Sequence, residues 1–199
     1  MSKSLINAIA DRRTIYHLGN QPTLNNQRII ELISLAVKNV PSAFNNQSQR
    51  VVILFAQYHH RIWQIAAETL KARLTPERFV ATEQRLKGFE AGYATILYFD
   101  DTKTTQEMMK KFPTYKDYFP AFALQANGML QYAIWTLLES EGLGVNIQHY
   151  NPLIDEQVKW EFNLPAQWQL LAQMPLGNPT GAPGEKSFIP LEERLKILG

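Results

Sequence analysis

The sequence predicts an α+β fold, in which helices and strands mix without a regular strand–helix–strand rhythm. Three observations carry that expectation. Ile29, Ile33, Ala36 and Val40 recur at helical spacing, and a long apolar segment runs from Ala121 to Leu138. Runs of strand formers, Val51-Val52-Ile53-Leu54-Phe55 and Tyr93 to Phe99, stand between helical segments. No internal repeat is present, and 199 residues, 45% hydrophobic and 19% charged, suffice for a single domain spanning 1–199.

The elements follow in order. Residues 2–11 read as a short helix ending at an arginine pair. Residues 24–39 read as a second helix, with Thr23 as its cap and Pro41 as its stop. Residues 50–56 read as a buried strand, and 60–73 as a helix with Ile62, Ile65, Ala66 and Leu70 on one side. Thr75-Pro76-Glu77 is a helix start, a cap residue followed by proline at the first helical position. Asp100-Asp101 closes the second strand, and residues 102–120 hold a short helix and then Phe112, Tyr115, Tyr118 and Phe119. Residues 121–141 form a helix apolar on most faces, which places it centrally, and Gly142 stops it. A helix over 155–162 and a third strand from Gln167 to Gln173 follow. From Pro175 the composition shifts to Pro and Gly, which predicts an extended arm over 175–199 with an apolar end that needs a surface to pack on.

Composition excludes several functions. A net charge of +2, from 20 basic and 18 acidic residues, argues against a dedicated nucleic-acid binder. With no cysteine, disulfides, thiolate metal sites and cysteine nucleophiles are ruled out, and a cytoplasmic setting is compatible. The N-terminal segment lacks the apolar core of a signal peptide. The most apolar segment carries Gln125, Asn127 and Gln131, which reads as a buried helix and not a membrane span. His59 and His60 are adjacent and point apart on a helix, so no metal site is expected.

Four places carry candidate chemistry. Pro41 to Arg50 packs two Asn, two Gln, two Ser and an Arg beside a strand; such amides suit the polar edge of a planar heteroaromatic ring, and equally a plain polar loop. Arg12-Arg13-Thr14 suits a phosphate, which guanidinium meets bidentately, or is a solvated helix end favoured by the helix dipole. Gly142 to His149 follows the long helix, and Lys186 lies in the arm. The aromatics between Phe112 and Phe122 are either a flat-ring pocket or part of the core or a dimer interface.

Arg12-Arg13-Thr14, then Pro41-Ser42-Ala43-Phe44-Asn45 before a strand, then Gly142-Leu143-Gly144 and Lys186, in that order, resemble the flavin-dependent nitroreductase family. The resemblance covers nearly the whole chain and is nearest to a short branch with fungal and copper-induced bacterial members. It implies a mixed, largely antiparallel sheet between helices and an obligate homodimer whose C-terminal arm embraces the partner. It implies FMN as cofactor, NADH or NADPH as reductant, an electron-poor aromatic or quinone acceptor, and a ping-pong mechanism without a side-chain acid or base. It places Arg12, Arg13, Thr14 and Lys186 at the flavin phosphate, and Pro41, Ser42, Ala43, Asn45 and Gln47 against the flavin of the other subunit. It implies that backbone amides just after the Gly142–Gly144 turn approach the reactive ring nitrogen, with Ile147, Gln148 and His149 as the candidates and Gln148 and His149 taken as site residues. Phe188 stands where relatives often carry arginine, so Arg13 or Arg50 is the expected substitute cation. A flavin-binding regulatory or sequestering protein with little turnover is the alternative reading.

Overall fold

The computed structural model describes residues 2–199. Seven helices surround one antiparallel sheet, among the described residues. In chain order these are α1 (Leu5–Asp11), β1 (Leu18–Gly19), α2 (Asn26–Asn39), β2 (Gln49–Phe55), α3 (Ala56–Lys71), α4 (Pro76–Glu90), β3 (Ala94–Asp101), α5 (Thr102–Lys111), α6 (Phe119–Ser140), β4 (Gly144–Val145), α7 (Asp155–Glu161) and β5 (Trp168–Pro179). The strand order is β1-β5-β3-β2, with β4 also paired to β5. Thr14 adds an isolated parallel bridge to Val145.

β3 is buried along its whole length because both sheet faces are covered. Its alternation divides the core in two. Ala94, Ile96 and Tyr98 face one cluster with α2 and α6 residues such as Ile29, Ile33, Leu130 and Ile134. Leu97 and Phe99 face the other, built with Ile62, Trp63, Leu86, Phe89 and Val158 from α3, α4 and α7. α6 is less enclosed than its all-round apolar pattern predicts: Ala123, Ala126, Leu130 and Ile134 are buried, while Leu124, Met129 and Tyr132 are exposed. Its Asn127 is buried and donates to the Phe99 carbonyl at 3.1 Å.

Several boundaries differ from the sequence reading. Asn25, not Thr23, caps α2, its side chain accepting from the Arg28 N–H at 2.9 Å. Both side chains are able to cap, and the chain enters the helix two residues later than the pattern suggests. α3 begins at Ala56, directly after β2, with Ala56 itself at φ 48. The Pro/Gly arm begins later than Pro175, because β5 runs on to Pro179. Pro175 is buried opposite Thr95. Its carbonyl points away from β3 and accepts from Asn146, so the N–H it lacks is not one that β3 needs. Gly177 lets β1 approach: a Cβ there would meet the Gly19 carbonyl oxygen at 2.1 Å. Gly142 ends α6 at φ 83, the left-handed stop that glycine supplies. Among the described residues no helix is long and apolar enough to cross a membrane.

A buried polar chain locks α3 to the sheet. Trp63 Nε1–H donates to Thr95 Oγ1 at 3.0 Å, and Thr95 lies 2.8 Å from His59 Nδ1. His59 Nε2 lies 3.0 Å from the Glu90 carbonyl, which only accepts, so Nε2 carries the proton and Nδ1 accepts from Thr95. His59 is 1% exposed, and burial lowers its pKa from 6.5 to about 4.

Candidate functional site

α1 ends at Arg12, and the next three residues leave it as an extended segment. Ile15 N–H donates to the Val145 carbonyl at 3.0 Å, and the buried Asn146 amide donates to the Ile15 carbonyl at 2.8 Å. That stitching fixes Arg12, Arg13 and Thr14 at the C-terminal end of α1. The arm then folds back across them. Arg13 Nη2 donates to the Gly184 carbonyl. The result is a cavity of ≈ 390 Å³ lined by Arg12, Arg13, Thr14, Tyr16, Gly184, Glu185 and Lys186.

Three of those side chains are cationic. Among the described residues none of the three forms an ion pair, while Lys3, Arg28, Arg50, Arg61, Lys87 and Lys159 all do. Arg12 is held flat by α6, its Cζ 4.4 Å from the Trp135 ring centroid and 5.9 Å from that of Tyr132. Its Nε is buried and has no hydrogen-bond partner within the chain. An unsatisfied buried donor beside two further cations is the donor set for an anion. Of the two candidate substitutes for the missing family arginine, Arg13 is in this cavity. Arg50 is not: it pairs with Asp101 at 2.7 Å and donates to the Gln47 and Gln49 carbonyls. Lys186 Nζ lies 4.8 Å from the Phe188 ring centroid.

Tyr16 also lines a second, larger cavity of ≈ 640 Å³, so the two adjoin. His17, Gln84, Arg85, Gly88, Phe89 and Gln148 complete it. Gln84 and Arg85, which the sequence reading did not single out, line this cavity. They lie on α4 and share this cavity with Gln148. Gln148 presents its side chain here, with Nε2 donating to Asn146 Oδ1 at 2.8 Å. The Gln148 backbone is already committed, exchanging both hydrogen bonds with Gln173 at 2.7 and 2.9 Å. By the alternation of an antiparallel pair, the N–H groups of Ile147 and His149 point the other way. His149 itself is exposed and does not line this cavity.

The Pro41–Gln47 loop lies elsewhere in the protomer. Pro41 borders an apolar groove of ≈ 530 Å³ between α1, α2 and α6, and Gln47 a separate groove between α2 and β2. Ser42 is internal to the loop, its Oγ accepting from the Gln47 N–H at 2.9 Å. Ala43 and Asn45 lie in a 3-10 turn, Asn45 exposed at its surface. Among the described residues and these cavities the candidates separate: Arg12, Arg13, Thr14 and Lys186 line one cavity, Gln148 lines the cavity that also has Tyr16, and the loop borders neither.

The profile of the nitroreductase family matches residues 9–178. The chain belongs to the nitroreductase family. This nitroreductase-family chain is 34% identical over 191 residues to nitroreductase FRM2 of Saccharomyces cerevisiae, covering 92% of each. It is 38% identical to nitroreductase CinD of Lactococcus lactis in a structure with nicotinic acid, TM-score 0.92, covering 98% of this chain and 100% of that one. CinD structures with chloramphenicol and with 4-nitrophenol superpose with TM-score 0.90. A nitroreductase from Desulfovibrio desulfuricans in complex with FMN shares the fold at 21% identity, TM-score 0.69, covering 100% of this chain and 99% of that one. Like its family, the chain is an oxidoreductase.

Proposed function

We propose that the protein is an FMN-dependent oxidoreductase that takes electrons from NADH or NADPH and delivers them to nitroaromatic or quinone acceptors in a ping-pong cycle. The observation that carries this reading is the unpaired cationic cavity of Arg12, Arg13 and Lys186, with the orphaned Arg12 Nε, adjoining a cavity large enough for a flat ring. The residues present fit FMN. Its phosphate has charge-assisted donors in the first cavity, and its ring system has Gln84, Arg85 and Gln148 in the second. When bound, FMN supplies the two-electron redox chemistry, which no side-chain constellation in this chain offers.

The chain's own residues bind and orient. Trp135 and Tyr132 hold the Arg12 guanidinium in place, so little rotamer freedom remains to be lost on binding. Arg13 tethers the arm and thereby brings Lys186 to the same cavity. Arg85 would put a positive charge beside the ring if FMN bound in that cavity.

The site is completed by a second copy of the chain. Among the described residues the Pro41–Gln47 loop borders grooves other than the Arg12 cavity, which supports the reading that it serves the flavin of the partner. The tail supports the same reading: Leu191, Ile197 and Leu198 are 67%, 84% and 84% exposed, apolar surface that a homodimer would cover.

Binding of FMN and riboflavin to the same variants tests the site. Arg12→Ala removes a charge-assisted contact worth ~1.5–3 kcal/mol, or roughly ten- to hundredfold in affinity. FMN affinity is expected to fall by that factor while riboflavin affinity stays, because riboflavin has no phosphate. Lys186→Ala acts in the same direction, and Thr14→Ala less, since a neutral hydroxyl contributes less than a cation. Equal losses for both ligands would remove the phosphate from this cavity.

A further inference from the structure

We propose that Phe44 is a positioning residue. Its ring, anchored on Phe112, Tyr115 and Phe119, holds the Pro41–Gln47 loop in the one backbone shape that presents Asn45 to the flavin of the other subunit. This rests on the two-subunit flavin site proposed above.

Three non-glycine residues of the loop adopt left-handed backbone conformations: Phe44 at φ 55, Asn45 at φ 51 and Gln47 at φ 50. Side chains with a Cβ avoid that region, and a bulky aromatic residue is a true outlier there, whereas asparagine tolerates it. Such residues persist only where their surroundings over-determine them, and they cluster at functional loops. Local hydrogen bonds account for Gln47, whose N–H goes to Ser42 Oγ at 2.9 Å and whose carbonyl accepts from Arg50 at 2.6 Å. Around Phe44 the turn is closed by the Asn45 N–H to the Ser42 carbonyl at 3.0 Å and the Asn46 N–H to the Ala43 carbonyl at 3.2 Å, bonds that do not involve the Phe44 ring and leave its direction open.

What holds Phe44 is a set of rings distant in sequence. Its centroid lies 4.6 Å from Phe112, 5.6 Å from Tyr115 and 5.5 Å from Phe119, contacts with the end of α5, the 3-10 turn after it and the start of α6. Edge and tilted ring pairs at these separations are favourable beyond the area they bury. Core filling does not explain the residue, because Phe44 remains 49% exposed. A right-handed Phe44 would swing its ring off this shelf and turn the peptide that leads into Asn45.

Phe44→Gly and Phe44→Asn separate the ring from the backbone, since both residues accept the left-handed shape without the anchor. The full-length, flavin-loaded dimer is measured for FMN affinity and for the midpoint potential of the bound flavin. Both variants are expected to bind FMN about tenfold more weakly, ~1.4 kcal/mol, with a shifted potential, while the thermal stability of the flavin-free protein stays unchanged. Phe44→Tyr keeps the ring and should restore both readouts. Wild-type affinity and potential in the Gly and Asn variants would overturn the proposal, and so would a Tyr variant as impaired as the Gly variant. Asn45→Leu distinguishes the levels. If it weakens FMN binding while Phe44→Gly does not, only the role of Phe44 falls. If Asn45→Leu is silent, the loop does not meet the flavin, and the two-subunit reading falls with the proposal.

Discussion

Replacing His59 by glutamine tests whether the buried polar chain across α3, β3 and the end of α4 has one fixed protonation state. The His59 ring is 1% exposed, its two nitrogens are committed to Thr95 and Glu90, and its pKa falls from 6.5 to about 4 on folding, chiefly through burial. The folded state therefore rejects a proton that the unfolded chain accepts. The stability this group contributes is fully present above pH 6.5 and declines as the pH falls toward 4, where the folded ring protonates as well. The gap of roughly 2.5 pKa units is worth about 3 kcal/mol in all, and about 2 kcal/mol of it is lost on going from neutral pH to about pH 5. Most carboxylates stay ionised in that interval, so the slope belongs mainly to histidine. Urea denaturation of the flavin-free protein at one fixed concentration measures the slope directly. His59→Gln should be less stable at neutral pH and nearly flat between about pH 7 and about pH 5. A variant that keeps the wild-type slope would refute the assignment of a neutral, hydrogen-bonded His59.

Two further outcomes follow from the site and the tail. Arg85→Ala removes the cation lining the larger cavity and should make the bound flavin harder to reduce, by about 30 mV for ~1.4 kcal/mol of lost stabilisation of the more negative reduced form. Arg85→Lys should recover most of that shift, and an unchanged potential in the alanine variant would place the ring elsewhere. Deleting residues 191–199 leaves Lys186 and β5 intact but removes Leu191, Leu195, Ile197 and Leu198, each worth up to ~1.5–3 kcal/mol if fully buried. Sedimentation should show loss of the dimer together with weakened FMN binding, and an intact, flavin-saturated dimer would show that the tail covers nothing essential.

Much of the fold was legible because local chemistry and tertiary structure agree. Thr75-Pro76 starts α4, Gly142 stops α6, and the strand-former runs became β2 and β3. Where they disagree, the reading slipped. Pro175 to Pro179 looks like a coil in composition, but β5 absorbs it because Pro175 turns its missing donor away from β3. The cationic half of the site could be read from Arg12, Arg13, Thr14 and Lys186, residues distant in sequence that the Arg13–Gly184 contact brings together. Gln84 and Arg85 could not. On a charged helix they look like solvated surface, and only the cavity they share with Tyr16 and Gln148, residues distant in sequence, marks them. Nor does any propensity foretell a left-handed phenylalanine, since Phe44 owes its shape to rings far along the chain.

Anaerobic titration of the FMN-loaded protein with NADH and with NADPH tests the central claim most directly. The account predicts that at least one nicotinamide bleaches the oxidised flavin absorption stoichiometrically, with no acceptor present, and that adding a nitroaromatic afterwards restores it. Those two separable half-reactions are what a ping-pong oxidoreductase requires. A protein that fails to hold FMN, or whose bound FMN stays oxidised with both nicotinamides, would contradict it.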